Sequence, residues 1–172
     1  MIYHHLMINN PENEWQQTWT TSCHGRLREQ KRLLDHLKPH ITDQELWQKS
    51  GEHLNSIGHL LQHIIGNMNQ YILQTLGADV PARSRHQEFE DHLNVHSDEL
   101  FAIAKSTIDQ CLDQIAQVDG QTWLKIHEIQ IFQMTTMEAV MHSIEHNAYH
   151  IGQIALLVKQ KKGIDLKFYP GV

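Results

Sequence analysis

Apolar residues recur along this chain at intervals of three and four, the spacing that gathers side chains on one side of an α-helix. The first run, Trp15, Trp19, Cys23, Leu27, Leu34 and Leu37, is opened by Asn10-Pro11-Glu12 and closed by Pro39. Asn10 is suited to cap it, Pro11 to the first helical position and the acid to the positive end of the helix dipole. A short helix is expected next, where Thr42 and Glu45 have capping-box spacing. A second long run begins near Asn55 or Ser56, puts Ile57, Leu60, Leu61, Ile64, Ile65, Met68 and Ile72 on one broad face, and ends at Gly77. So wide a stripe suits packing against two neighbours.

The third run starts at Ser97, its expected cap, with Asp98 and Glu99 in the first turn. It repeats Leu100, Ala104, Ile108, Cys111, Ile115 and Val118 and is expected to stop at Gly120. Its near-heptad spacing predicts bundle packing. The fourth opens with a second capping-box pair, Thr135 and Glu138, and carries Ala139, Val140, Ile144, Ile151, Ile154, Leu157 and Val158 to Gly163. Only residues 125–131 hint at extended chain, with Ile126 and Ile129 breaking strict alternation. The connections at 78–96, which holds Pro81, and at 121–134 are long for a bundle; such segments cross one end of it or cover a site. No internal repeat or linker divides the chain. The pattern predicts a single all-α domain over residues 1–172.

That length is enough for one core without disulfides or metal as staples. A net charge of −6 argues against a nucleic-acid partner, since phosphate backbones are held by clustered Lys and Arg. The one basic cluster, Lys159, Lys161 and Lys162, precedes Gly163, where it complements a helix C-terminus. Cys23 and Cys111 lie singly in helical patterns and read as small core residues. No basic segment leads into an apolar run at the N-terminus, and no stretch is apolar enough to span a membrane. A cytoplasmic protein without a membrane partner is therefore expected.

The composition stands out in one respect, its 15 histidines. Imidazoles four residues apart on a helix project from one side and can share a divalent ion. That spacing occurs at His36/His40, His59/His63, His92/His96, His142/His146 and His146/His150. With so much histidine, spacing alone discriminates poorly. His36 and His40 straddle Pro39, and His92 and His96 precede the third helix, so both pairs are expected in solvent. On the fourth helix, counting about 100° per residue from the centre of the apolar stripe, His150 lies roughly 60° away, His146 roughly 100° and His142 roughly 140°. The first two border the interior, while His142 faces mostly solvent. The same count on the second helix places Asn67 nearest the apolar centre, His63 next and His59 opposite. Asn147, near the apolar centre of the fourth helix, is a buried amide that needs partners.

The string His146-Asn147-Ala148-Tyr149-His150-Ile151-Gly152-Gln153-Ile154 resembles the last-helix signature of the DinB/YfiT-like superfamily, H-x-x-x-H followed by x-G-Q-I. Ser56 to Asn67, reading SIGHLLQHIIGN, resembles its second-helix signature. Gly66-Asn67-Met68 together with Arg83-Ser84-Arg85-His86-Gln87-Glu88-Phe89 is similar to an uncharacterised subgroup with G-N-M and R-x-R-x-x-E-F patterns. The resemblance spans roughly residues 10–165 and implies an up-down-down-up four-helix bundle, often a homodimer. It also implies one divalent metal ion, Zn, Ni or Mn, held by His63, His146 and His150, the residues that the angular positions also favour.

Characterised relatives are thiol-dependent enzymes, a maleylpyruvate isomerase and a thiol transferase, but motifs for their cofactor-binding residues are not found here. The resemblance thus implies a metal-dependent transferase or hydrolase-like enzyme acting on a small thiol or an electrophilic substrate, with catalytic residues other than the ligands unassigned. Glu145, beside His146 but turned from the stripe, is a poor proton carrier. The competing expectations are a non-catalytic, metal-stabilised dimeric bundle acting in stress response or through a protein partner, and a bundle with surplus surface histidines. Arg83 and Arg85 are candidates to grip an anionic substrate; the plainer expectation pairs them with Glu88, Glu90 or Asp91.

Overall fold

The computed structural model describes residues 11–92, 94–169 and 171. Helix α1 spans Pro11–Leu37; the expected Asn10 cap lies outside the described residues. Pro39 cannot continue the α-helical ladder, and α1 gives way to one 3-10 turn at Lys38–His40. Helix α2, Asp43–Trp47, carries the complete Thr42/Glu45 capping box. Helix α3, Ile57–Met68, is capped by Ser56, and His59 fills the position usually held by a capping-box acid, its Nδ1 accepting the Ser56 N–H. Its last turns relax into a π-helical segment, Asn69–Gln74, which buries the three consecutive residues Tyr71, Ile72 and Leu73.

Helix α4 covers Ser97–Ile115, with two departures from expectation. Its N-cap is His96 rather than Ser97, and the Ser97 N–H is accepted by Asp43 Oδ1 of α2 at 2.7 Å, so the cap comes from another element. Gly120 does not close α4: it opens a short helix α5, Gly120–Leu124, capped by Asp119. The 125–131 stretch is extended only in part. Strand β1, Ile126–Ile129, pairs antiparallel with β2, Phe132–Thr135, through a turn in which Gln130 takes φ 57°. Helix α6, Thr136–Lys162, starts on the Thr135/Glu138 capping box and ends at Gly163 in the left-handed conformation.

The long helices form a closed ring of contacts, α1 against α4 and α6, and α3 against α4 and α6. Between them lie Leu27, Leu34, Leu61, Ile64, Met68, Ala104, Ile108, Cys111, Ile154 and Val158, the positions their sequence stripes nominate. Ion pairs tie Lys31 to Asp109, Asp35 to Lys105 and Lys38 to Asp98, with numbers rising along α1 and its 3-10 turn and falling along α4. The helix-end lysines act through neighbours as well as through the dipole: Lys162 pairs with Glu45 and Lys161 donates to Gln48. No described helix is long and apolar enough to cross a membrane.

The face of α3 turned away from the core is covered too, by α2 and by the 3-10 turn Gln87–Phe89 of the long connection. Trp47 lies flush on the backbone at Gly58, where a methyl group would overlap its ring. G58A should therefore cost about 1–3 kcal/mol through overpacking, whereas G152A, with open space around it on α6, should stabilise by about 0.5–1 kcal/mol. Thermal melts of the two variants against wild type check the pair.

Candidate metal centre

Three histidines from two helices meet between α3 and α6. His63 projects from α3, and His146 and His150 come from successive turns of α6, their Nε2 atoms turned towards one another. The His63 Nε2 to His146 Nε2 distance is 3.0 Å and that from His146 to His150 is 3.3 Å. One ligand atom from each of the three lies within 4.8 Å of the others, the one such group among the described residues. His63 is buried and the other two are half-buried.

The outer nitrogens decide what the inner ones present. His63 Nδ1 lies 2.7 Å from Glu88 Oε2, and His150 Nδ1 lies 2.7 Å from Gln153 Oε1, whose amide nitrogen donates to Tyr149 Oη. A carboxylate can only accept, and the amide that donates to Tyr149 turns its oxygen to His150, so both Nδ1 atoms carry the hydrogen; Arg83 Nη2, which stands 3.2 Å from His63 Nδ1, directs its hydrogen to Glu88 Oε2 at 2.9 Å. Both Nε2 atoms then direct lone pairs at His146. Its own outer nitrogen, Nδ1, is buried without a protein partner. With Nδ1 unpartnered, a neutral His146 carries its hydrogen on Nε2 and shares it between those two lone pairs, a place that a cation can take instead. Nitrogen ligands at about 2.0–2.1 Å from a common ion stand about 2.9–3.4 Å apart for angles between octahedral and tetrahedral, so the donor set fits a divalent metal.

Behind His63 the connection contributes a buried ion pair. Arg83 meets Glu88 through Nε at 2.6 Å and Nη2 at 2.9 Å, with 5% and 8% of their side chains exposed. Arg83 Nη1 also donates to Gln70 Oε1, which accepts from Gln130 of the hairpin turn. Burial pushes the Glu88 carboxyl up, but hydrogen bonds from His63 and Arg83 outweigh it and hold Glu88 below the usual carboxylate range. Of the two arginines considered as anion grips, Arg83 is committed to Glu88 and Arg85 is exposed.

The other histidines divide as follows. His142 is exposed, as expected, with its ring 4.4 Å from that of Tyr71. His59 is a correction: expected opposite the core, it is 1% exposed, covered by Trp47 and Phe89 and 2.8 Å from Asp91. Because α2 and the long connection cover α3, that helix has no open side here. His36 bonds the Leu166 carbonyl, His96 pairs with Asp43, and His92 lies against Trp47, so none of them joins the cluster. Asn147 is fully buried and neither amide atom has a protein partner. Glu88, Gln153 and Gly66 were not legible as site residues. Gln153 stands inside the H-x-x-x-H-x-G-Q string, whereas Glu88 is 25 residues from His63, too far for any helical period to link them.

Burial, with the neighbouring His150, His63 and His142, pushes the His146 imidazole down to about 3. An unfolded chain takes up that proton near pH 6.5 and the folded one does not, so stability is full above that pH and declines as pH falls. In the metal-free protein the melting temperature should drop between about pH 6.5 and 4.5, before carboxylates titrate, and should drop less in H146Q. Melts across a pH series read this directly.

A family model described as a protein of unknown function (DUF1572) matches residues 14–169. No curated protein matches the chain. Among solved structures, a DinB-like protein from Bacillus cereus superposes with a TM-score of 0.68 at 16% identity, covering 91% of this chain and 96% of that one. A DinB-like protein from Bacillus subtilis superposes with a TM-score of 0.64 at 14% identity, covering 84% and 94%. At these identities the likeness speaks for the fold, while the family match spans most of the sequence: the chain belongs to the DUF1572 family and has the helical fold of DinB-like proteins.

Proposed function

We propose that this protein binds one divalent metal ion, Zn, Ni or Mn, on His63, His146 and His150, and uses it as an enzyme on a small thiol or an electrophilic substrate. The observation that carries the reading is the convergence of three Nε2 atoms whose two outer partners, Glu88 and Gln153, turn lone pairs inward. Three imidazoles leave coordination positions open, and a bound ion supplies Lewis acidity there. The chain's own residues orient those imidazoles, and burial lowers His146 and His150 and so favours their neutral forms.

No thiol of the chain suits the chemistry. Burial raises Cys23 to about 11 and Cys111 further, so any reacting thiol arrives as a small molecule. The reading includes the up-down-down-up helix order. The opposed numbering of the α1–α4 ion pairs supports it, as does the way His63 meets His146 while Tyr71, in the π-helical segment that continues α3, meets the earlier His142. It includes a homodimer as well, for which the exposed Met141, Tyr149 and Leu156 on one side of α6 are the supporting feature.

One observation favours a second reading, a metal-stabilised bundle without catalysis. The larger grooves lie elsewhere: about 660 Å³ beside the C-terminal segment around Lys159 and Phe168, about 460 Å³ on the outer side of Arg83 and Glu88, and about 400 Å³ between α1 and α6 around Cys23 and Ile144. None of the three is lined by His146 or His150.

Protein purified without a nickel column or histidine tag should contain close to one equivalent of metal, and H150A should contain none. At a free metal concentration 100 times its dissociation constant, the ion should add about 2.7 kcal/mol, a rise in melting temperature of about 5–10 °C that a chelator reverses. Metal-free wild type with an unchanged melting temperature would sink the reading. Conversion of an electrophile by an added thiol that needs both metal and His150 separates the enzyme from the metal-stabilised bundle.

A further inference from the structure

Glu88 does more than neutralise an arginine. Its two oxygens divide their work: Oε1 accepts from Arg83 Nε, and Oε2 accepts from Arg83 Nη2 and from His63 Nδ1. The carboxylate reaches this position through a gap in α3. A methyl group at Gly66 would overlap Glu88 Oε1 and stand 3.2 Å from Arg83 Nε, so only glycine lets the ion pair press against the helix one turn beyond His63. Phe89 continues the same wall, its ring 5.1 Å from that of His63. Gly66 and the Arg83 to Phe89 stretch therefore converge on one imidazole.

We infer that Glu88 is a positioning residue of the metal centre: held by Arg83 in the cradle at Gly66, it fixes His63 as the Nδ1–H tautomer and aims its Nε2 at the ion. This rests on the metal-centre reading for its consequence, but the tautomer is a property of the protein alone. Without an acceptor at Oε2 the imidazole is free to carry its proton on Nε2, which cannot then coordinate, and its ring is no longer held by a bond on the far side. A carboxylate behind an imidazole also makes the ligand nitrogen more basic. Arg83, donating to Oε1 through Nε and to Oε2 through Nη2, holds both carboxylate oxygens in place as acceptors.

The test uses two double variants, so that neither charge is left buried alone. R83M/E88L removes both charges and the acceptor, while R83Q/E88Q removes the charges and keeps an amide oxygen for His63. Nitrogen-15 NMR of the imidazoles, in protein stripped of metal, should find His63 as Nδ1–H in wild type and R83Q/E88Q, and moved towards Nε2–H in R83M/E88L. Competition titrations with Zn should find R83M/E88L about 10–100-fold weaker than wild type, with R83Q/E88Q between them. Bound cobalt should show an altered visible spectrum in R83M/E88L, which a merely structural role would leave unchanged.

G66A is the independent check, since it keeps all three polar residues but displaces the carboxylate; it too should weaken Zn binding at least about tenfold. The inference is overturned if His63 keeps its wild-type tautomer in R83M/E88L, or if G66A binds Zn as wild type does. A wild type that binds no Zn defeats the metal-centre reading instead, while the tautomer measurement still decides the role of Glu88.

Discussion

Three imidazole nitrogens are held 3.0 and 3.3 Å apart with two lone pairs turned on the third ring, and much of this structure serves to keep them there. Each outer contact removes an escape. Glu88 and Gln153 take the protons that would otherwise let His63 and His150 turn into donors, and burial suppresses protonation of His146. A folded domain is stable by only about 5–15 kcal/mol, so a cluster of this kind persists only where the surrounding packing over-determines it.

That packing comes from two directions. The apolar stripes of the long helices bring α3 and α6 side by side, which sets His63 across from His146 and His150. The second constraint acts from outside, where α2 and the 78–96 connection close over the remaining face of α3. Trp47 against Gly58 and Glu88 against Gly66 are the two closest approaches. Glycine at these positions is thus a matter of space rather than backbone freedom. Gln70 extends the network, since its side-chain oxygen accepts from Arg83 and from Gln130, joining the π-helical turn, the connection and the hairpin.

The length of the two connections finds its reason in these roles. A bundle of this size closes with a few residues between helices. Here the first connection supplies the ion pair behind His63. The second supplies Trp123, which meets Trp19 edge to face with ring centroids 6.1 Å apart, and the hairpin that reaches Gln70.

By itself the sequence determined the helical class, the four long helices, both expected capping boxes and the three histidines. The helices and caps rest on local rules, a period of 3.6 and a cap-to-acid spacing of three, whereas singling out three histidines from five spaced pairs also took the resemblance of the second- and last-helix strings to a known family. Only the tertiary structure decided what those rules cannot reach. His59 is buried because α2 and the long connection happen to cover it, and α4 is capped by Asp43 from another helix rather than by its own Ser97. Residues 125–135 form a hairpin through cross-strand pairing that a weak alternation did not announce. Glu88 reaches His63 across 25 residues of chain because Gly66 leaves room for it. The physical reason is the same in each case: hydrogen bonds and exclusion of water between distant segments depend on distances in space, which periodicity along one helix does not encode.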